Sequence, residues 1–395
     1  MKPMRLLVLL SFVFLLSPSI NAQNSSRLSE EAQVSIITMG PFYEELYAAF
    51  GHSAIRVYDP VNNIDLAYNY GTFDFDQPNF YLNFARGNLL YKLAVQDYQR
   101  LSQYYIYYNR FIHEQVLDLN LSQEQEVFDF LQNNALPENP NYYYDYFYDN
   151  CASRIRDVFE QSLGSDFRFD GSYIESERSI RELTDDYLIG HYPWGDLGID
   201  LCLGLPMDKI LEPREYMFLP DYVESGFDNA LLNNKPIVRE NIVVFEPENL
   251  QEKKTIITPS IVFLTLLIII AFVTRVHLKK GKTGHYLDVS IFMVIGLIGV
   301  SLSLLWFATD HKAATGNLNI IWAFPVHLIA GIVLLKKGHS LFWRKYFKVT
   351  AIVMVVLLIT WPFLPQMMPT SLMFVSAVIM VRAAYIGWGK RLKHV

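Results

Sequence analysis

Cysteine is scarce in this sequence: only Cys151 and Cys202 occur among 395 residues. So few thiols exclude a disulfide-stabilised scaffold, and no Cys or His pair has the spacing of a zinc site, so we expect no metal and no cofactor. Positive charge is also in deficit, because 33 Lys and Arg stand against 40 Asp and Glu and give a net charge of −7. This balance offers no basic surface for nucleic acid, which we do not expect as a partner.

The N-terminus, residues 1–22, has the features of a secretory signal peptide. Lys2 and Arg5 precede the apolar run 6–16, and small residues lead up to Ala22. This order of charge, apolar core and cleavage site predicts cleavage near Ala22. An uncleaved N-terminal anchor is the alternative, although the apolar run is shorter than the ~20 residues that a membrane span needs.

The rest of the chain divides near residue 255 into a polar part and an apolar part. Residues 23–255 are rich in tyrosine and mixed in charge, which predicts an extracytoplasmic domain large enough for its own core. Residues 256–395 predict a transmembrane domain with five helices. The five apolar segments are 256–273, 289–308, 318–335, 349–364 and 372–386.

Basic residues indicate the orientation of these segments. Lys and Arg are concentrated in three connections, namely 275–282, 336–348 and 382–393. The connections 309–317 and 365–371 together contain one Lys or Arg, which is Lys312. By the positive-inside rule the basic connections are cytoplasmic, so we expect an inner-membrane protein with a cytoplasmic C-terminus and the polar domain outside.

Strand patterns and helix patterns are both present in the extracytoplasmic domain. The predicted strands are 34–39, 51–59, 64–75 and 113–121. Ser122, with Gln125 three residues later, predicts the capping box of a helix. A further helix is predicted to begin at Cys151, and this order of elements predicts an α+β fold.

Cys151 is predicted to lie in the first turn of its helix. Asp149 and Asn150 directly before it are favourable N-cap residues, and an apolar stripe from Ile155 to Leu163 lies on the same helix face. The partial positive charge and free N–H groups of a helix N-terminus stabilise a thiolate. We therefore expect a lowered thiol pKa and a nucleophile at this position.

A thiol nucleophile also needs a base, and His52 is the candidate. It follows a glycine at the start of a predicted strand, whereas we assign no role to His113 or His191, the other histidines of the domain. An imidazole beside the thiol would take its proton and later return it to a leaving group. The alternatives are a structural histidine at a strand end and, for Cys151, a buried structural residue or a disulfide with Cys202.

Several motifs together resemble the Lnb family of lipoprotein acyltransferases, whose outer domain lies in the bacterial envelope. They are AFGHSAIRVYD, YNYGTFDF, YDNCASRIRDVFEQSL, GIDLCLGLPMDK and REYMFLPDYV, and they span most of residues 34–225. The order of His before Cys, with Asn directly before the Cys, is also similar to permuted NlpC-like and lecithin:retinol acyltransferase-like folds, which are relatives of papain. The resemblance implies a permuted papain-like domain with Cys151 as nucleophile and His52 as base.

The resemblance also implies a reaction. Cys151 would take an acyl chain from the diacylglyceryl group of a lipoprotein as a thioester and pass it to the N-terminal amine, so diacylglyceryl lipoproteins and membrane lipid are the implied partners. Asn69 or Tyr68 on the next strand is a candidate to orient the imidazole. Asn150, or backbone N–H groups near Cys151, is a candidate to stabilise an oxyanion.

Two other functions fit parts of the sequence. A cell-wall peptidase or amidase of the NlpC-like kind would use the same nucleophile, although no wall-binding module is visible. A non-catalytic membrane receptor or scaffold would need no activated thiol. Analysis of lipoprotein N-termini in a Cys151→Ser strain, release of muropeptides, and the reactivity of the thiol would separate the three.

Overall fold

The structure is a computed structural model that describes residues 27–73, 76–88, 90–136, 139, 141–248, 255–280, 285–336 and 340–389. The predicted signal peptide lies outside these ranges. Within them, an α+β domain comes first and a bundle of apolar helices follows. The predicted α+β class and the helical membrane region are confirmed, while the permuted papain-like topology stays a prediction.

A seven-stranded antiparallel sheet forms the centre of the outer domain. The strands in the described ranges are β1 Gln33–Met39, β2 His52–Asp59, β3 Ile64–Thr72, β4 Leu90–Asp97, β5 Ile112–Leu117, β6 Asn141–Tyr143, β7 Phe167–Phe169, β8 Ala230–Leu232, β9 Lys235–Pro236 and β10 Val238–Phe245. The order in the large sheet is β10-β5-β1-β2-β3-β4-β6, and β7, β8 and β9 form a second, small sheet. The first two predicted strands are therefore confirmed, and the third, predicted at 64–75, is confirmed as far as Thr72, while residues 74–75 lie outside the described ranges. These strands include the two that carry His52 and Asn69.

Helices cover both faces of the large sheet. The described helices of this domain are α1 Phe80–Arg86, α2 Tyr98–Tyr107, α3 Leu121–Asn134, α4 Cys151–Leu163, α5 Ile180–Leu188, α6 Pro193–Cys202, α7 Pro213–Tyr216 and α8 Pro220–Asp228. Side chains alternate along the strands, so that Ile36 and Val57 pack with α3, α4 and α8, whereas Ile37 and Ala54 pack with α2. One sheet thus supports an apolar core on each face.

The strand predicted at 113–121 and the helix cap predicted at Ser122 are wrong in their bounds. β5 is shorter than predicted, and α3 already begins at Leu121. Asn120 caps this helix, because its side chain accepts a hydrogen bond from the N–H of Gln123 at 3.1 Å and the Gln123 side chain accepts one from the N–H of Asn120 at 3.0 Å. Asn is as favourable an N-cap as Ser, so the capping box forms at the earlier residue.

Among the described residues, four helices are long and apolar enough to cross a membrane, and the prediction of five is wrong. The bundle helices are α9 Pro259–Lys280, α10 His285–Phe307, α11 Val326–Leu334, α12 Leu341–Thr360 and α13 Ser371–Trp388. The exception is α11, which has only nine residues. A helix of that length rises about 14 Å, which is short of the ~30 Å hydrocarbon core.

The third predicted segment, 318–335, is interrupted by its own sequence. A 3-10 turn forms at Leu318–Ile321, and Pro325 then precedes α11 as its N-cap. Proline lacks an amide proton and clashes with the preceding turn, so a helix can start beside it but cannot continue through it. Counting apolar residues alone predicted a continuous span because it gave no weight to Pro325.

Buried amide side chains hold the outer domain on the bundle. Asn317 donates to the carbonyl oxygen of Leu201 at 2.9 Å, and Gln366, which follows α12, donates to the carbonyl oxygen of Leu203 at 3.0 Å. Both amides are almost fully buried, so each bond that is broken leaves an unsatisfied polar group. We refer to the packing of Asp200, Leu201, Leu203 and Gly204 against these loops as the inter-domain joint.

Candidate active site

The N-terminus of α4 holds Cys151 through a complete capping box. Asn150 accepts a hydrogen bond from the N–H of Ser153 at 2.9 Å, and Ser153 accepts one from the N–H of Asn150 at 2.8 Å. The two amide protons of Asn150 go to the carbonyl oxygens of Tyr146 at 2.9 Å and Phe218 at 2.7 Å. Asn150 therefore has no amide proton left for an oxyanion, and its suggested role there is replaced by helix capping.

The thiol of Cys151 is surrounded by backbone N–H groups. The N–H groups of Ser53, Ala152 and Cys151 itself lie close enough to the sulfur to lower its pKa. Opposite the thiol lies Gly71, where an added Cβ would be 3.3 Å from the Cβ of Cys151. Gly71 has φ +82° and lies in a β-bulge of β3, so glycine both permits the backbone and leaves room for the cysteine.

Burial opposes the expected activation of the thiol. It raises the pKa of Cys151 to about 11, although the backbone N–H groups act in the opposite direction. The expectation of a lowered pKa is therefore wrong for the resting protein, because loss of hydration outweighs the helix N-terminus. Cys151 and Cys202 are both free, so the alternative of a disulfide between them is wrong.

His52 begins β2 and is oriented by Asn69 on β3. Its Nε2 lies 3.0 Å from Oδ1 of Asn69, which fixes a proton on Nε2 and leaves Nδ1 as the acceptor. Burial lowers the pKa of His52 to about 4, the Asn69 bond acts the other way, and the charge of Arg110 lowers it further. The imidazole is therefore neutral at pH 7, in the state that a general base requires.

Tyr68, the second candidate to orient His52, is bonded elsewhere. Its hydroxyl accepts a hydrogen bond of 2.6 Å from Gln132 of α3, within the core on the opposite sheet face. Neighbouring residues of a strand point to opposite faces, so Tyr68 and Asn69 cannot both serve the imidazole. Asn69 is the one that contacts it.

The structure brings Cys151 and His52 to the same end of the β2–β3 pair. The thiol meets the backbone of Ser53, which is the residue after His52, and it lies against Gly71, two residues beyond Asn69. Packing of α4 on β2 and β3 thus delivers the sulfur to the strand ends that carry the imidazole and its amide partner.

Two further residues at this end of the sheet were not anticipated from the sequence. Arg110 is buried, donates to the carbonyl oxygen of Gly40 at 2.8 Å and lies 4.2 Å from the ring of Tyr105. Burial raises the pKa of Tyr105 to about 12, and a negative charge on Cys151 acts in the same direction. No local signal marked these residues, because they lie with α2 on the sheet face that carries His52 and Asn69, opposite the face that α4 covers.

A row of aromatic rings leads away from the thiol. Tyr144 lies against Gly71 and stacks on Tyr91 with centroids 3.9 Å apart, Tyr91 lies 5.2 Å from Phe73, and Phe73 lies 6.0 Å from Phe80 of α1. We call Tyr144, Tyr91, Phe73 and Phe80 the aromatic row. It connects the N-terminus of α4 with α1 through packed aromatic rings, of which Tyr91 and Phe80 are buried.

A carboxylate cluster elsewhere in the domain has the composition of a cation site. Asp185, Asp196 and Asp200 place ligand atoms within 4.8 Å of one another. Arg181 bonds both Asp200 and Asp208, and burial raises the pKa of Asp185 to about 8. Protonation and Arg181 thus stabilise the cluster, which reaches the inter-domain joint through Asp200 and contains neither Cys151 nor His52.

Comparison with known families agrees with this architecture. The Lnb N-terminal periplasmic domain matches residues 23–185, and the Lnb transmembrane domain matches residues 251–393. Searches of curated proteins and of solved structures gave no match.

The fold and these two matches define an inner-membrane protein with a periplasmic α+β domain and a helical transmembrane domain. The chain belongs to the Lnb family. Membership indicates a membrane-anchored enzyme that modifies lipoproteins.

Proposed function

We propose that this protein moves an acyl chain from the diacylglyceryl group of a lipoprotein to the N-terminal amine of that lipoprotein, through a thioester on Cys151. The observation that carries the proposal is the position of the Cys151 thiol, which lies at a helix N-terminus and meets the backbone of Ser53 beside His52. A nucleophile, a base and backbone donors at one site are the parts that acyl transfer requires.

In the first half-reaction, Nδ1 of His52 takes the thiol proton while the sulfur attacks the ester carbonyl carbon. The tetrahedral oxyanion collapses, the ester C–O bond breaks, and His52 returns the proton to the departing glycerol oxygen. In the second half-reaction, the free α-amine attacks the thioester carbonyl and loses a proton through His52, and the thiol leaves with a proton. The products are an amide at the N-terminus and a lyso glycerol group.

The neutral resting state of both groups suits this sequence of proton transfers. The pKa of Cys151 is raised to about 11 by burial and that of His52 is lowered to about 4, so the thiol keeps its proton until an ester arrives. We propose that the N–H groups of Ser53 and Ala152, which act on the sulfur in the resting site, stabilise the oxyanion that forms on the attacked carbonyl. Asn69 holds the imidazole with Nδ1 available.

The anchoring of the domain supports a lipid-linked substrate. The inter-domain joint fixes the outer domain on helices that cross the bilayer. We propose that the signal peptide directs residues 23–255 to the periplasm and that the basic C-terminus stays in the cytoplasm. A reporter fused to Val395 tests the orientation: green fluorescent protein should fluoresce there, and alkaline phosphatase should be inactive.

The thioester can be trapped with a donor that has no acceptor. A diacylglyceryl lipopeptide with an acetylated N-terminus offers the ester but no free amine, so the acyl group should remain on Cys151. Intact-mass and peptide mass spectrometry should show one acyl chain on the Cys151 peptide, removable by neutral hydroxylamine, together with release of the lyso lipopeptide.

The Cys202→Ser variant is the matched control, since Cys202 is free and lies outside the site. It should acquire the same adduct, and His52→Ala should not. Consumption of the donor with no covalent adduct on the enzyme would contradict the proposal.

A further inference from the structure

Helix α1 presents large apolar side chains to the outside of the domain. Tyr81 is 80% exposed, Leu82 50% and Phe84 45%, whereas Phe80 points inward and is buried. The helix also carries Arg86 in its last turn and no acidic residue in its first. So many exposed apolar groups on two helical turns are unusual for a surface in water and mark a contact site.

Hydrogen bonds fix α1 to the loop that leaves the membrane. The N–H of Asp310 donates to the carbonyl oxygen of Arg86 at 2.9 Å, and Nε2 of His311 lies 3.2 Å from the carbonyl oxygen of Phe84. Asn88 adds a bond of 2.8 Å to the Asp310 carboxylate. These contacts follow the end of α10 at Phe307 by three or four residues, which at most span about 14 Å.

We infer that the exposed face of α1, formed by Tyr81, Leu82 and Phe84, inserts into the outer leaflet of the bilayer that the helices of this chain cross. The tie to residues 310–311 places α1 where α10 leaves the hydrocarbon, so the bilayer is the apolar partner at that level. Tyrosine and phenylalanine suit this interface, and the exposed Arg86 suits a lipid phosphate.

This surface also gives the lipid a route to the thiol, a part of the inference that rests on the proposed function. The aromatic row begins with Phe80 on the inner side of α1 and ends with Tyr144 at Gly71, beside Cys151. Phe80 and Tyr91 of this row are buried, so an acyl chain that leaves the leaflet beside α1 reaches the sulfur without crossing water when the packed rings move apart.

Insertion can be measured with a fluorescent probe on full-length protein in phospholipid nanodiscs. The Leu82→Cys variant, in a background with Cys151→Ser and Cys202→Ser, is labelled with NBD. Val61→Cys in the same background is the control, because Val61 is 57% exposed at the β2–β3 turn, at the end of β2 away from His52. The Leu82 probe should emit at shorter wavelength and be quenched by brominated phospholipid, and the Val61 probe should not. Equal emission and equal quenching at the two sites would overturn the inference.

Measurements of N-acylation test whether the exposed face of α1 takes part in substrate delivery to Cys151. Leu82→Asp and Phe84→Asp should lower N-acylation of a membrane-embedded lipoprotein roughly tenfold, and Val61→Asp should leave it unchanged. If the Leu82 probe is blue-shifted but both aspartate variants have full activity, α1 contacts the membrane. That result would overturn the proposed route of the acyl chain from α1 to Cys151. If the unaltered protein shows no N-acylation, the proposed function fails, and the NBD measurement still decides the membrane contact.

Discussion

The backbone N–H of Ser53, the residue that follows His52, lies close enough to the thiol of Cys151 to lower its pKa. A helix and a strand almost one hundred residues apart in the chain therefore meet at one point of the sheet. The register of β2 decides whether His52 is presented at this point, and the capping box of α4 decides where the sulfur lies. Both are set by short local sequences, which makes the site sensitive to single substitutions.

His52→Ala should abolish the chemistry without unfolding the domain. Loss of a general base lowers a rate by about 10²–10⁴-fold. The rate of lipopeptide N-acylation by purified protein in detergent measures it, and thermal unfolding verifies the fold. His191→Ala is the matched control, because His191 stacks on Tyr43 with centroids 3.6 Å apart and has no contact with Cys151 in the described structure. Equal rates for the two variants would exclude His52 as the base.

The pH profile should report the pKa of His52. The rate requires a neutral imidazole, so it falls as the pH drops through that pKa, and the acid limb of kcat/KM should lie near 4, where burial holds it. Asn69→Asp places a carboxylate beside Nε2, which favours the imidazolium and should move the limb to higher pH. Asn69→Ala should lower the rate without that upward shift. A limb near 6.5 in the unaltered protein, or a limb that Asn69→Asp leaves in place, would contradict the assignment.

Gly71→Ala should damage the site by contact with Cys151. The new Cβ would lie 3.3 Å from the Cβ of Cys151 at a residue with φ +82°, where a side chain costs about 1–2 kcal/mol. Gly164→Ala is the control, because Gly164 has φ +61° but no atom within 4 Å of the added Cβ. Both variants should lower the melting temperature, and only Gly71→Ala should also lower kcat. Equal losses of kcat would assign the effect to backbone strain alone.

The inter-domain joint should be necessary for action on membrane-bound substrate. A Cβ at Gly204 would lie 1.9 Å from the carbonyl oxygen of Thr315, so Gly204→Ala should destabilise the joint by about 1–3 kcal/mol. Gly198→Ala on α6 meets no atom within 4 Å and is the control. The melting temperature and the rate of lipoprotein N-acylation should fall for Gly204→Ala and stay unchanged for Gly198→Ala. An unchanged melting temperature and an unchanged rate for Gly204→Ala would mean that the inter-domain joint is not needed for stability or for N-acylation.

The sequence was sufficient to predict elements whose signals are local. Asn150 and the stripe from Ile155 to Leu163 predicted that a helix begins at Cys151, and alternation around Ile55 predicted β2 with His52 at its start. The choice between Tyr68 and Asn69 was open, since it depends on which face of β3 meets His52.

Features set by distant packing were not predictable. The raised thiol pKa depends on burial by groups such as Tyr144, and Arg110 reaches the site from beyond α2. The composition of residues 318–335 predicts a membrane span, because a count of apolar residues includes neither the helix boundary at Pro325 nor the hydrogen bond from Asn317 to the outer domain. These relations join residues far apart in the chain, and a pattern read along the chain does not contain them.

The most direct measurement is the mass of a lipoprotein N-terminal peptide from cells whose sole copy of this protein carries Cys151→Ser, with Cys202→Ser cells as the control. We predict a free α-amine and two ester-linked acyl chains on the glycerol in the Cys151→Ser cells, and an N-acylated lyso form in the control. An N-acylated lyso form in both strains would contradict the role of Cys151 as the acyl carrier.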